Sequence, residues 1–239
     1  MRILPKESFA HVFAHLQGLR VGVVDGIGNV GDYLLYAATR QLLDDFGIEW
    51  VSTNIISHDD PRRQGVDHLL LFAGGNMGYG PCTAIRERAL SYGIPATLLP
   101  QSWLIYESGP YDRMFAREHQ SMQICMRTEL APDLALGFDF PESETSPTLG
   151  KGLFCRRFGN QLFPDHRGSS DPAEYCHTID AYAKLAARYS HVVTDRLHFA
   201  ITALGMRRKV TLLPVSYHKN RSMWETSLRQ LGVAWAERP

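Results

Sequence analysis

The sequence has little that would staple a small secreted scaffold together. Its 239 residues include only four cysteines, Cys82, Cys125, Cys155 and Cys176. They are widely spaced and form no C-x-x-C pair, which fits neither zinc-ligand spacing nor a disulfide framework. An excess of either charge is also missing, because 25 Lys+Arg face 25 Asp+Glu. A protein that coats nucleic acid through its overall field is thereby excluded, and any anion site must be a local cluster. No run of about 18 apolar residues occurs, so no transmembrane helix is expected. Lys6, Glu7, His11 and His15 interrupt the first residues and leave no apolar stretch for a signal peptide. The expected location is therefore cytoplasmic, with peripheral contact to the inner membrane face as the nearest approach to lipid. The G-x-S-x-G elbow, the Walker lysine pattern and H-E-x-x-H are absent as well. His11 and His15 stand four apart with no third ligand nearby, so no metal site is expected.

What is present is a globular composition, 44% hydrophobic and 21% charged. A chain of this length buries roughly 70–75% of its unfolded surface and needs no cross-link. Phe9, Val12, Phe13 and Leu16 recur at helical spacing. Residues 20–24 read as a buried strand that runs into the Gly-rich stretch 25–32. Apolar residues from 33 to 46 then follow a 3.6 period, with Gly47 where a helix stop belongs. Strands are read at 50–56, 68–73 and 95–99, and a helix at 83–91. Beyond a polar linker at 140–147 the alternation resumes. Strands are read at 149–155, 191–193 and 210–213, and helices at 178–189, 197–204 and 223–231.

Strands alternating with helices imply an α/β fold of parallel sheets covered by helices, here two Rossmann-like halves, residues 1–142 and 143–239. The second half is the smaller, because 140–178 leaves little room for extra strands. Ligands of such sheets bind at the carboxyl ends of the strands.

Three motifs fall at those ends. Gly26-Ile27-Gly28-Asn29-Val30-Gly31 is a literal G-x-G-x-x-G between a strand and a helix, spacing that lets backbone approach a phosphate. Asp32, however, puts a carboxylate where a pyrophosphate would sit, and the second strand ends without an acid for a ribose hydroxyl. A site for another polar ligand, or a plain strand-to-helix turn with Asp32 favourable in the first helical turn, both remain open. Thr194-Asp195-Arg196-Leu197-His198 follows the strand at 191–193 and opens a helix. It sets a permanent cation beside a titratable imidazole at the positive helix end, which suits an anion plus proton transfer. The competing reading is a structural arginine and a packed histidine. Tyr217-His218-Lys219-Asn220-Arg221 gathers three basic groups that can line a phosphate or carboxylate pocket, or form a solvated loop. Arg156-Arg157 and Arg207-Arg208-Lys209 read as surface charge.

Taken in order, GNVGD, LLLFAGGN, LLPQS, AREHQS, APDLAL, TDRLHFAITALG and PVSYHKNRS resemble the polysaccharide pyruvyl transferase family over residues 26–231. The resemblance implies two Rossmann-like halves in a GT-B-like arrangement. It also implies phosphoenolpyruvate as donor, a sugar acceptor that can be lipid-linked, a pyruvate ketal as product, and no further cofactor. By the same resemblance Arg196, Leu197 and His198 map onto the donor-binding motif, and Arg117 is the additional donor-binding arginine. His198 is the general-acid candidate, since an imidazole ordinarily titrates near neutral pH. Arg196 and Arg117 would clamp carboxylate and phosphate, while Lys219 or His218 neutralises the leaving phosphate. Gly28, Asn29, Asp32, Gly75, Asn76, Gln101 and Ser102, at strand ends of the first half, are the residues expected to meet the acceptor. Two other readings stand beside this one: a GT-B-type glycosyltransferase using a nucleotide sugar, and a non-catalytic relative in glycan assembly.

Overall fold

The structure is a computed structural model and describes residues 1–55, 60–74, 80–142, 146–163 and 167–239. The chain folds into two compact units, one made of Leu4–Ile27 and Leu35–Gly137, the other of Met1–Ile3, Gly28–Leu34 and Phe138–Pro239. Each is built on one parallel sheet, of six strands and of four.

The six-stranded unit begins with a 3₁₀ turn, Lys6–Phe9, one α turn, α1 (Ala10–Phe13), and a second 3₁₀ turn, Ala14–Leu16. Phe9, Val12, Phe13 and Leu16 are all fully buried, so the apolar spacing does place one face inward. The sheet consists of β1 (Val21–Val24), β2 (Trp50–Ser52), β3 (His68–Leu71), β4 (Ala96–Gln101), β5 (Arg113–Ala116) and β6 (Glu129–Leu130). Their spatial order is β2-β1-β3-β4-β5-β6. The residues of β1, β3 and β4 are buried throughout, which is why Val21–Val24, Leu69–Leu71 and Leu98–Leu99 show no polar alternation. Order reverses between β1 and β3, the switch point where the carboxyl edge of such a sheet opens a crevice.

Helix α2 (Val30–Asp45) follows β1, α3 (Gly80–Ser91) precedes β4, and α4 (His119–Ile124) follows β5. The first turn of α2 is grouped with the four-stranded unit. At its other end Gly47 takes φ +65°, and Ile48 N–H bonds the Leu43 carbonyl at 2.9 Å, a Schellman stop. Pro100 sits inside β4 at a register shift between Leu98 and Gln101, the kind of irregularity that tolerates a residue without an N–H.

The four-stranded unit carries β7 (Leu149–Phe154), α5 (Ile179–Ala187), β8 (Tyr189–Thr194), α6 (Leu197–Gly205), β9 (Lys209–Leu212), α7 (Lys219–Met223) and β10 (Ala234–Trp235). The strands lie in chain order, β7 to β10, all parallel. Thr178 accepts from Ala181 N–H at 3.1 Å and caps α5. Phe154, Tyr182 and Phe199 pack ring against ring beneath the sheet, with Phe199 4.8 Å from each of the other two. A Cβ on Gly205 would fall 2.3 Å from the Phe140 ring, so that glycine lets the α6 end close onto the aromatic.

Several expected elements differ. The strand expected at 50–56 ends at Ser52, where the partners of β1 run out, and position 56 lies outside the described residues. The segment 113–116 was no predicted strand, yet it pairs in parallel with β4. The helix expected at 223–231 instead begins at Lys219 and widens into a π-helical turn, Trp224–Leu228. Among the described residues no helix is long and apolar enough to cross a membrane.

Candidate functional site

In the four-stranded unit the carboxyl ends of β7, β8 and β9 come together around buried charge. Thr194 Oγ1 accepts from Arg196 N–H at 3.0 Å, and Arg196 then stands at the N-cap of α6 with extended backbone. Asp195 does not cap the helix. Its side chain is fully buried and accepts from Arg156 N–H at 2.9 Å. Its backbone carbonyl accepts from the Asn220 side-chain amide at 2.7 Å, and the same amide reaches the Leu213 carbonyl at 2.9 Å. That one side chain ties the loop carrying Tyr217, His218 and Lys219 to the end of β8. The second and third motifs therefore belong to one place.

Arg196 is held by Asp171, which is 1% exposed, through a forked pair; Nε donates to Oδ1 at 2.9 Å and Nη2 to Oδ2. Burial opposes its charge, but the hydrogen bonds and charge of Asp171 outweigh that and hold Arg196 above the usual arginine range. Asp171 also caps the turn Pro172–Glu174 and accepts from Arg157 N–H at 3.0 Å. Leu197 is buried in the unit's core, 2% exposed. Lys219 is 8% exposed, with Nζ 5.3 Å from the Tyr217 ring, and the Tyr217 and His218 rings meet edge to face at 5.6 Å.

The first turn of α2 completes this group. A Cβ on Gly31 would fall 2.8 Å from His198 Nδ1 and 3.0 Å from His198 Cβ, so the imidazole lies against bare backbone. Asn29 Oδ1 accepts from Gly31 N–H and Asp32 Oδ2 accepts from Asn29 N–H, both at 2.9 Å, a reciprocal capping box. The donors that a phosphate would use at this helix end are thus already engaged, in part by a carboxylate. A dinucleotide pyrophosphate does not fit there.

The six-stranded unit holds Gln101, Ser102 and Arg117 at the ends of β4 and β5, all buried. Arg117 donates from Nε to Ser102 Oγ at 3.0 Å and from Nη1 to the buried Asp133 carboxylate at 2.7 Å. Ser102 N–H bonds the Gly74 carbonyl at 2.9 Å, which ties the ends of β3 and β4. Both polar atoms of the Gln101 amide are buried without a hydrogen-bond partner. Gly75 and Asn76 lie outside the described residues.

Sequence reading missed two residues here. Arg156, taken for surface charge along with its neighbour, is 7% exposed, and only Arg157 faces solvent. Asp171 attracted no notice, although a buried guanidinium at 196 requires a carboxylate somewhere. The signal was the Asp-Pro pair at 171–172, a turn start with a side-chain acceptor.

The family model described as polysaccharide pyruvyl transferase matches residues 29–217 of the chain. The span begins at Asn29, contains Arg117, Arg156 and the segment Asp195–His198, and stops just before His218. No curated protein matches the chain. Among solved structures, a functionally uncharacterized protein from Klebsiella pneumoniae is similar over 96% of this chain and 97% of its own, with 17% identity and a TM-score of 0.72. That likeness shows the fold. S. aureus MnaA, solved with UDP, is similar over 84% of this chain and 81% of its own, with 10% identity and a TM-score of 0.49.

Proposed function

The chain belongs to the polysaccharide pyruvyl transferase family, and we propose that it moves the enolpyruvyl group of phosphoenolpyruvate onto a sugar and closes a pyruvate ketal. The observation that carries this reading is the meeting of Arg196, His198, His218 and Lys219 at one edge of one sheet, with the imidazole seated on Gly31. Phosphoenolpyruvate bears a phosphate and a carboxylate and needs several cations at short range. It also needs an acid for its methylene carbon, and an imidazole is suited to that step.

In the proposed reaction His198 protonates the methylene carbon, which becomes the methyl group and leaves an oxocarbenium-like centre at the adjacent carbon. One sugar hydroxyl adds there and loses its proton. A second hydroxyl then displaces phosphate at the same carbon, and its proton leaves with the phosphate. Arg196 holds the donor through the face that Asp171 does not occupy, and Lys219 and His218 offset charge on the departing phosphate. Arg117 is the further donor contact that the family resemblance implies. Gln101, with an unpartnered amide, is the best-suited of the expected acceptor contacts, since a hydroxyl both donates and accepts. Asn29 and Asp32 frame the turn beneath His198. The acceptor is a sugar in lipid-linked, nucleotide-linked or polymeric form, and the reaction is placed on the cytoplasmic side.

The test is phosphate release from phosphoenolpyruvate with and without a panel of glycan acceptors, beside thermal melts with phosphoenolpyruvate or uridine diphosphate. Acceptor-dependent release that disappears in His198→Asn is expected. Stabilisation by uridine diphosphate alone, with no release under any acceptor, would put a nucleotide-sugar transferase in its place.

A further inference from the structure

At the edge of the four-stranded sheet two guanidinium groups, Arg156 and Arg196, meet two buried carboxylates, Asp171 and Asp195, and only one of the two pairs is close. Arg196 and Asp171 form a close forked pair. Arg156 has no such partner. Its nearest carboxylate oxygen, Asp195 Oδ1, is 3.8 Å from Nε and is already bonded to the Arg156 backbone N–H. Nη1 donates to the Gly159 carbonyl at 3.0 Å, and Nε is buried with no hydrogen-bond partner.

Strand register brings the segments that carry the two arginines together. Phe154 pairs with Thr194 where β7 and β8 end, so Arg156 and Arg196 each stand two residues past a matched pair, just off the two strand ends. Paired strands lie about 4.8 Å apart, so the two segments leave the sheet close together, and the charges of Arg156 and Arg196 repel each other there. Burial, and then the nearby Arg196, push the Arg156 guanidinium below the usual arginine range, with Asp195 opposing. Burial likewise raises the Asp195 carboxyl, against the charge and backbone N–H of Arg156. A guanidinium kept in such a place without a full partner is one whose partner comes from outside. A planar fork also matches phosphate geometry better than a lysine would.

We infer that Arg156 is a substrate-binding residue that takes a dianionic phosphate group between itself and Arg196. That the phosphate belongs to phosphoenolpyruvate rests on the pyruvyl-transfer reading, whereas the phosphate site itself rests on the charges and geometry of this edge. Arg156 therefore acts by direct contact with the donor, and Asp195 positions it through the backbone bond.

The experiment uses the full chain, with phosphoenolpyruvate and inorganic phosphate as separate probes, in titration calorimetry and thermal melts. The variants are Arg156→Gln, Arg156→Lys and, as the neighbouring control, Arg157→Gln. Arg156→Gln should bind both probes at least tenfold more weakly, while its ligand-free melting temperature equals or exceeds that of the wild type, because a repulsion is removed. Arg156→Lys, which keeps the charge and loses the fork, should fall between, and Arg157→Gln should match the wild type. An arginine that only holds the loop would give the opposite pattern, a lower ligand-free melting temperature with affinity retained, and would overturn the inference; so would a wild type that binds neither probe. If Arg156→Gln does not fold, the affinity of Arg156→Lys decides. Phosphate binding lost in Arg156→Gln, with no acceptor-dependent turnover of phosphoenolpyruvate in the wild type, would sustain this site and overturn the pyruvyl-transfer reading alone.

Discussion

A Cβ on Gly28 would lie 2.2 Å from Asp32 Oδ2 and 2.4 Å from Asp32 Cγ. The glycine is there so that the carboxylate can fold back onto Asn29 N–H at the head of α2. Gly28→Ala and Asp32→Ala should therefore remove the same interaction by different routes. Each is expected to cost about 1 kcal/mol, or about 2–4 °C in melting temperature. The double variant should cost little more than either one, and melts of all three proteins check it.

Gly31 does for His198 what Gly28 does for Asp32. Gly31→Ala should move the imidazole and lower turnover at least tenfold. Stability should change little, since alanine is the better helix former by up to about 1 kcal/mol. Steady-state rates beside melts separate the two effects. A variant with full turnover would remove His198 from the chemistry or the contact from its positioning.

The Arg117–Asp133 pair is 1% and 0% exposed. Deleting one member of such a pair strands a charge, so Arg117→Ala or Asp133→Ala should each destabilise the chain by about 3–5 kcal/mol in denaturant titration. Binding of phosphoenolpyruvate to Arg117→Lys is the more informative measurement, because the charge remains while the fork to Ser102 and Asp133 is lost.

Acid should weaken the six-stranded unit through His15 and His68. Both Nε2 atoms reach the buried Thr97 hydroxyl, at 2.9 and 3.0 Å, and the rings meet edge to face at 5.4 Å. Burial, then the neighbouring His68 and Arg113, lowers His15 to about 4, with Asp112 and Glu129 opposing. Burial lowers His68 too, against Asp112. The unfolded chain binds these protons near 6.5 and the folded chain only below its depressed values. Stability is then full above the unfolded value and falls as pH drops from about 6.5 towards 4. Half-exposure of His15 tempers the size, to about 1 kcal/mol after screening. Melts across that range should show the decline, and His15→Gln should flatten it.

Much of the fold was legible because its signals are local and strong. Residues 21–24 and 69–71 are apolar without interruption since both faces of their strands are covered, and Gly47 marks a helix stop that its φ of +65° confirms. Residues 113–116 gave no such signal. A strand that begins with Arg113 and owes its place to pairing with β4 is defined by tertiary partners that a linear reading does not contain. The site was legible in residue types more than in roles. Glycines 28 and 31 were read as openings for a phosphate, whereas the structure fills those openings with Asp32 and His198. Arg156 beside Arg157 looked like paired surface charge, because adjacent residues at a strand end point opposite ways and only burial tells them apart.

The contact of Gly31 with His198 joins residues 167 positions apart in the chain. During synthesis at about 5–20 residues per second, the first turn of α2 would leave the ribosome roughly 8–33 s before the segment it packs against. For that interval the early strands can pair with one another, while the turn at 28–34 waits, capped by Asn29 and Asp32 but without its neighbour. The cap draws only on residues 29–32, so it can form before His198 has been made.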